Sequence, residues 1–241
     1  MKIAVLTIFP EIFDGFISTS LMGKAVQDGL LDIQLVDIRN YTADKHFKVD
    51  DVPYGGGAGM VMTPQPVEAA IKAATEASGG GYVIHLTPQG ELLTQKTLRE
   101  FATMDKPLIL LNGRYEGIDE RIRELYVHRE ISIGDYVLNG GEVASMVLME
   151  GVCRLLPNFM GNNESISDES HTAGLLEYPH YTRPAEFNGL KVPEILLSGH
   201  HENIRKWRRK MSLLRTRERR PDLFEQFSLT DEDRKLLKGL E

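Results

Sequence analysis

The sequence predicts an α/β fold built on a parallel sheet, followed by a small, mainly helical C-terminal part. Three observations carry this expectation. Short β-rich apolar runs at 3–8, 33–38, 82–86 and 108–112 alternate with helical patterns at 11–19, 64–77 and 94–103. A tract at 157–172 is rich in turn formers (Asn158, Gly161, Asn162, Asn163, Ser165, Ser167 and Ser170) and has little to bury. Beyond it, Ile204, Trp207, Met211 and Leu214 follow one another at helical spacing on a single face.

Each element has a local reason. The four runs are short and mostly apolar, as buried strands are. Thr63 before Pro64 suits a helix start, an N-cap followed by proline at the first helical position. A fifth strand is expected at 126–132. It leads through a glycine-rich turn into a helix at 141–153, where Val143, Met146, Val147 and Glu150 keep helical spacing. Thr230 with Asp233 three residues on fits a capping box for a last short helix. The expected domain division is 1–160, a mobile linker at 161–174, and 175–241.

Composition bounds the function classes. At 241 residues, 41% hydrophobic and 26% charged, the chain has the make-up of a globular protein with a real core. Its single cysteine, Cys153, cannot form an internal disulfide, and buried and inert is its expected state. The start is interrupted by Pro10, Glu11 and Asp14 before a cleavable apolar region develops, and no run is long enough to span a bilayer, so a cytoplasmic protein without a membrane partner is expected. The net charge of −7 conceals an asymmetry. Between 203 and 220 nine Lys and Arg residues stand against Glu218 alone, which points to one basic contact surface on an otherwise acidic protein.

Glycine-bearing stretches follow the strands: Thr87-Pro88-Gln89-Gly90, Asn112 to Gly117, and Ile133 to Gly141. None matches a P-loop or a dinucleotide fingerprint. Ligands of open α/β sheets sit beyond the carboxyl ends of strands, and loops of exposed N–H groups there suit a small polar ligand. Asp119 and Glu120 read as acids of a first helical turn, favoured by the dipole. His85, between Ile84 and Leu86, reads as a packed core histidine, and Trp207 on its apolar stripe as core more than as a stacking platform. The histidines lack zinc spacing, and no G-x-S-x-G is present. On residues alone, several chemistries remain open, including a non-catalytic RNA-binding module.

Five stretches go further. Pro53-Tyr54-Gly55-Gly56-Gly57-Ala58-Gly59-Met60, Gly113 to Arg121, Ile131 to Glu142, Tyr181-Thr182-Arg183-Pro184 and Arg219-Arg220-Pro221-Asp222-Leu223 closely resemble the TrmD family, the bacterial tRNA (guanine-N1)-methyltransferases of the SPOUT superfamily. The likeness runs in order from the first strand to the final helices.

The resemblance implies a SPOUT sheet threaded as a deep trefoil knot, an exception to the rule against threaded loops, and an obligate homodimer with each site at the subunit interface. It implies S-adenosylmethionine as cofactor, held by Leu86, Pro88, Gly113, Tyr115, Glu116, Ile133, Gly134, Asp135, Tyr136, Val137, Leu138, Gly140 and Gly141, and an activity that depends on Mg²⁺, for which the sequence offers no recognisable cage. It implies methylation of N1 of guanosine 37 in tRNA. Arg154 would be the donor to guanine O6. The family's general base falls in a triplet that reads Glu169-Ser170-His171 here, preceded by Asp168. Glu169, one methylene longer than the family's aspartate, is the preferred base and Asp168 the alternative. Arg205, Arg208, Arg209, Lys210, Arg215, Arg219 and Arg220 would hold tRNA phosphates. A related SPOUT methyltransferase with another RNA target is the runner-up.

Overall fold

A computed structural model describes residues 1–160 and 169–238. The chain divides into two compact units, Met1–Gly161 and Asn162–Glu241.

Unit 1 runs β1 (Lys2–Thr7), α1 (Asp14–Ser18), α2 (Ser20–Gln27), β2 (Asp32–Asp37), β3 (Asp50–Asp51), β4 (Val61–Met62), α3 (Pro64–Ser78), β5 (Tyr82–Leu92), α4 (Gln95–Ala102), β6 (Leu108–Asn112), α5 (Glu120–Tyr126), β7 (Arg129–Ser132) and α6 (Glu142–Cys153). Five strands form one sheet in the order β2-β1-β6-β5-β7, every neighbour parallel. Successive strand residues face opposite sides. Ile3, Val5, Leu108 and Leu110 pack with Phe101 of α4 and with Leu148 and Val152 of α6. Ala4, Leu6, Ile109 and Leu111 pack with Val67, Ile71 and Ala74 of α3 and Ile122 of α5. Both faces are covered, so the near-continuous apolar runs are what this sheet requires.

The sequence pattern misplaces three boundaries. The helix expected at 11–19 is a 3₁₀ turn, Pro10–Phe13, leading into α1, and a second helix, α2, follows because Ser20 at φ +54° redirects the chain and Met22 and Ala25 reach the core. The strand expected at 126–132 begins only at Arg129: Tyr126 closes α5, whose start is capped by the Asp119 side chain accepting from the Arg121 N–H. β5 is longer than expected. Its Leu86 and Glu91 both stand against Ile131 of β7, so residues 87–90 loop out of the ladder. Thr63 does precede α3 with Pro64 at its first position, but its hydroxyl donates to the Val49 carbonyl instead of capping the helix.

Unit 2 holds a two-stranded hairpin, β8 (Glu186–Phe187) and β9 (Leu190–Lys191), then α7 (Glu194–Leu197), α8 (His201–Arg219), α9 (Pro221–Gln226) and α10 (Asp231–Leu237). The Thr230–Asp233 capping box at α10 is present. α8 is rotated from the stripe that the sequence suggests. Ser212, Leu213 and Thr216 are its buried residues, while Ile204, Trp207, Met211 and Leu214 are half-buried. The reason is a chain of polar contacts: the Thr216 hydroxyl donates to the Ser212 carbonyl and accepts from the Leu176 N–H at 2.8 Å. Residues 169–174, the described part of the expected linker, thereby form turns with 175–177 that dock on α8, with Leu175 buried.

Candidate functional site

Three loops meet at one edge of the adjacent strands β5, β6 and β7: the 87–90 bulge of β5 and the segments that follow the carboxyl ends of β6 and β7. They enclose a cavity of about 220 Å³. Of the residues expected to bind the cofactor, Leu86, Pro88, Gly113, Tyr115, Glu116, Ile133, Gly134, Tyr136, Val137, Leu138, Gly140 and Gly141 all line it. Asp135 is the exception: it is absent from the lining. The glycine-rich 53–60 stretch packs against the 113–119 loop. Glu116 N–H donates to Met60, Met62 N–H to Gly117, and Asp119 N–H to Met62, at 2.9 to 3.0 Å.

Two glycines show how closely the loops of the lining approach each other. A Cβ on Gly140 would collide with the Arg114 side chain and stand 2.6 Å from a Glu142 carboxylate oxygen, and one on Gly141 would stand 2.9 Å from the Asn112 side-chain oxygen. Only glycine allows the two loops to approach this closely.

Beneath the cavity lies a polar network that sequence reading missed. Glu142, the first residue of α6 and 1% exposed, accepts from the Thr7 hydroxyl at 2.8 Å and from Arg114 Nε at 3.1 Å. The Arg114 guanidinium stacks over the Phe9 ring, 4.7 Å from its centroid. Asn112 donates to the Leu6 carbonyl and accepts from the Ser145 hydroxyl at 2.6 Å. β1, the β6 loop and the start of α6 are thus tied by buried polar groups, which are costly unless satisfied; Glu142 Oε2 has no hydrogen-bond partner and is held by the charge of Arg114, 3.0 Å away. An acid at a helix N-terminus is an ordinary dipole signal, so nothing in the sequence marks Glu142 as special.

His85 lines the cavity with its Nδ1 3.2 Å from the Leu111 carbonyl, and burial pushes its pKa below the ordinary imidazole value. Cys153 is buried, and desolvation pushes its thiol up to about 12, so it is the inert cysteine expected. Among the described residues no three His, Cys, Asp or Glu side chains converge, so no residue set is assigned to Mg²⁺. None of the described helices is long and apolar enough to cross a membrane.

Arg154 is the C-cap of α6, half-buried, with Nη1 3.9 Å from Met160 Sδ. The cavity lies at the other end of that helix. Twelve residues at about 1.5 Å each separate the two by roughly 18 Å. Arg154 continues a stripe along α6 on which Val143 is 55% and Val147 44% exposed.

Glu169 lies in unit 2, in a hollow of about 480 Å³ that it shares with Tyr178, His201, Arg205, Arg208 and Arg209. Asp168 lies outside the described residues. The basic cluster is less open than its sequence suggests. Arg205 pairs with Glu202 and Glu232, Arg209 with Asp233, and Arg220 with Asp222, while Arg215 reaches the Glu177 carbonyl at 3.4 Å. Arg208, Lys210 and Arg219 have no carboxylate partner among the described residues. Glu202 and Asp222 flank the 203–220 segment and Glu232 and Asp233 fold onto it from further along the chain, so a charge count of that segment misses all four.

A family model for tRNA (Guanine-1)-methyltransferase TrmD matches residues 1–226. A tRNA (guanine-N(1)-)-methyltransferase of Clostridium perfringens is 56% identical over 239 residues, 99% of this chain and all of the relative. Those of Pelotomaculum thermopropionicum and Geobacillus kaustophilus are 53% and 52% identical over all of this chain and 96% and 98% of their own lengths. Matches of this extent, over the strands, the cavity loops and the basic helix alike, leave one conclusion: the chain belongs to the TrmD family of tRNA (guanine-1)-methyltransferases.

Proposed function

We propose that the protein transfers the methyl group of S-adenosylmethionine to N1 of guanosine 37 in tRNA, in the cytoplasm, as a homodimer whose two sites each draw on both subunits. The observation that carries this reading is the convergence of twelve expected cofactor-contacting residues on one cavity. Glycines with exposed backbone groups beside apolar side chains such as Leu86, Ile133 and Leu138 suit a folded adenosyl ligand, and the knotted threading of the SPOUT fold would bring these loops together.

When bound, S-adenosylmethionine supplies an electrophilic sulfonium methyl. The chain's residues meet the needs of the guanine. N1 carries a proton at neutral pH, and the carboxylate of Glu169 takes it as N1 bonds to the methyl carbon and the carbon–sulfur bond breaks. A positioned base contributes about 10²- to 10⁴-fold. Negative charge moves onto O6, where the Arg154 guanidinium donates, worth about 10²- to 10³-fold. Arginine is suited to that edge of guanine. Arg154 stands an α6 length from the cavity of its own chain, and Val143 and Val147 lie exposed on the face leading to it, with the exposed Glu150 between them and the guanidinium. Both features support a site completed by the second copy.

The test is complementation. A chain carrying Arg154→Ala and one carrying Gly140→Ala are each expected to lose methyl transfer from labelled cofactor to guanosine-37 transcripts. Mixed and refolded together, they regain about a quarter of wild-type activity if one site takes its cavity and its arginine from different subunits, the share expected when chains pair at random. No recovery, with mixed dimers demonstrated, overturns the shared site. Transfer to adenosine-37 transcripts at the same rate overturns the assigned target.

A further inference from the structure

We propose that unit 2 carries a stacking pocket for one unpaired nucleotide of the RNA, its base held in the corner of Tyr181 and Trp207 and its phosphate on Arg208, which Tyr178 steadies. This rests on the tRNA reading above and deepens it. A second hollow, of about 180 Å³, opens beside α8 and is lined by Tyr178, His180, Tyr181, Leu196, Trp207 and Arg208, among others. Three of these are large aromatics and one is an imidazole. The Tyr181 and Trp207 rings meet at 55° with centroids 6.4 Å apart, so they form a corner and do not cover each other face to face. Tyr181 is 49% exposed and Trp207 half-buried, which is the exposure of a wall, not of a core.

Arg208 supplies the second half of the argument. Its guanidinium lies 4.8 Å over the Tyr178 ring and has no carboxylate partner among the described residues, whereas its neighbours Arg205 and Arg209 are both ion-paired. Stacking fixes the plane of the guanidinium and leaves its N–H groups to a ligand. A fixed cation beside an aromatic corner is the chemistry of single-stranded nucleic-acid binding, where bases stack and phosphates are neutralised. Duplex RNA offers no exposed base face, so the ligand is a nucleotide of a loop.

Trp207 is the only tryptophan of the chain, so its emission reports on this pocket alone. Adding an anticodon stem-loop RNA to the full-length protein is expected to quench that emission and to shield it from iodide. Trp207→Leu is expected to weaken stem-loop binding about 5- to 150-fold, the range of one lost base stack, and Trp207→Phe to restore most of it. An abasic substitution at one loop position should erase the difference between Trp207→Leu and wild type. RNA that binds while emission and iodide access stay unchanged overturns the pocket and leaves the tRNA reading intact. Failure of the RNA to bind wild-type protein overturns both.

Discussion

The Arg209 guanidinium grips the buried Asp233 carboxylate through two parallel hydrogen bonds, Nε to Oδ1 at 2.7 Å and Nη2 to Oδ2 at 2.9 Å. Asp233 also closes the capping box of α10, so a single acid joins α10 to α8. Arg209 and the Thr230 N–H together hold its carboxyl down at about 2. A depressed carboxyl stabilises the folded state fully above its unfolded pKa of about 4 and loses that contribution as pH falls through the folded value. Thermal melts from pH 7 to pH 2 should show wild type losing stability below about pH 4. Asp233→Asn should start lower and lose less over the same interval; parallel curves would show that this pair does not govern the acid response.

Removing Arg114 strands the Glu142 carboxylate, which is 1% exposed. Arg114→Met should cost about 3–5 kcal/mol in denaturant unfolding, the penalty of a buried charge without its partner. The double variant Arg114→Met/Glu142→Leu should recover part of that loss. If the single variant is within about 1 kcal/mol of wild type, the pair is not held as described.

Gly140→Ala forces a methyl group against Arg114 and Glu142. Overpacking costs about 1–3 kcal/mol, and here it distorts the cavity wall, so affinity for S-adenosylmethionine in calorimetry should fall about tenfold or more with the circular dichroism of the fold retained. Unchanged affinity would remove this loop from the cofactor's surroundings.

Two sets of cations on or next to α8 should differ in RNA binding. Lys210, Arg217 and Arg219 lack carboxylate partners among the described residues, whereas Arg205, Arg209 and Arg220 have them. Neutralising the first set to Gln should flatten the slope of log affinity against log salt by about 2–3, given about 0.7–0.9 per phosphate contact. The second set should change it by less than half as much. Equal changes from both would mean that the internal pairs open on binding.

The sheet and the cavity were legible because their signals are local. Apolar runs such as 108–112 and glycines such as Gly140 declare a buried strand and a close approach wherever they stand. α2 was not legible, because it follows α1 without a loop and its start is set by one residue at positive φ. Nor was the polarity of the buried face of α8, since Thr216 is buried to serve Leu176, forty residues earlier. The Glu142 network shares this character: Thr7, Arg114 and Glu142 each read as ordinary, and only the fold makes them neighbours. Pairing across sequence distance also separates the nine-to-one charge count between 203 and 220 from the charge that a ligand meets.

The helix that begins at the cavity wall and ends in Arg154 behaves as a ruler. Its turn count sets how far the guanidinium projects, and its phase sets the side on which it emerges. Deleting or inserting one residue between Glu150 and Arg154 would swing that cation by about 100° around the axis while shifting its reach by only about 1.5 Å. If Arg154 serves guanine O6 as proposed, length variation is therefore barred from this stretch, however tolerant its individual side chains prove to be.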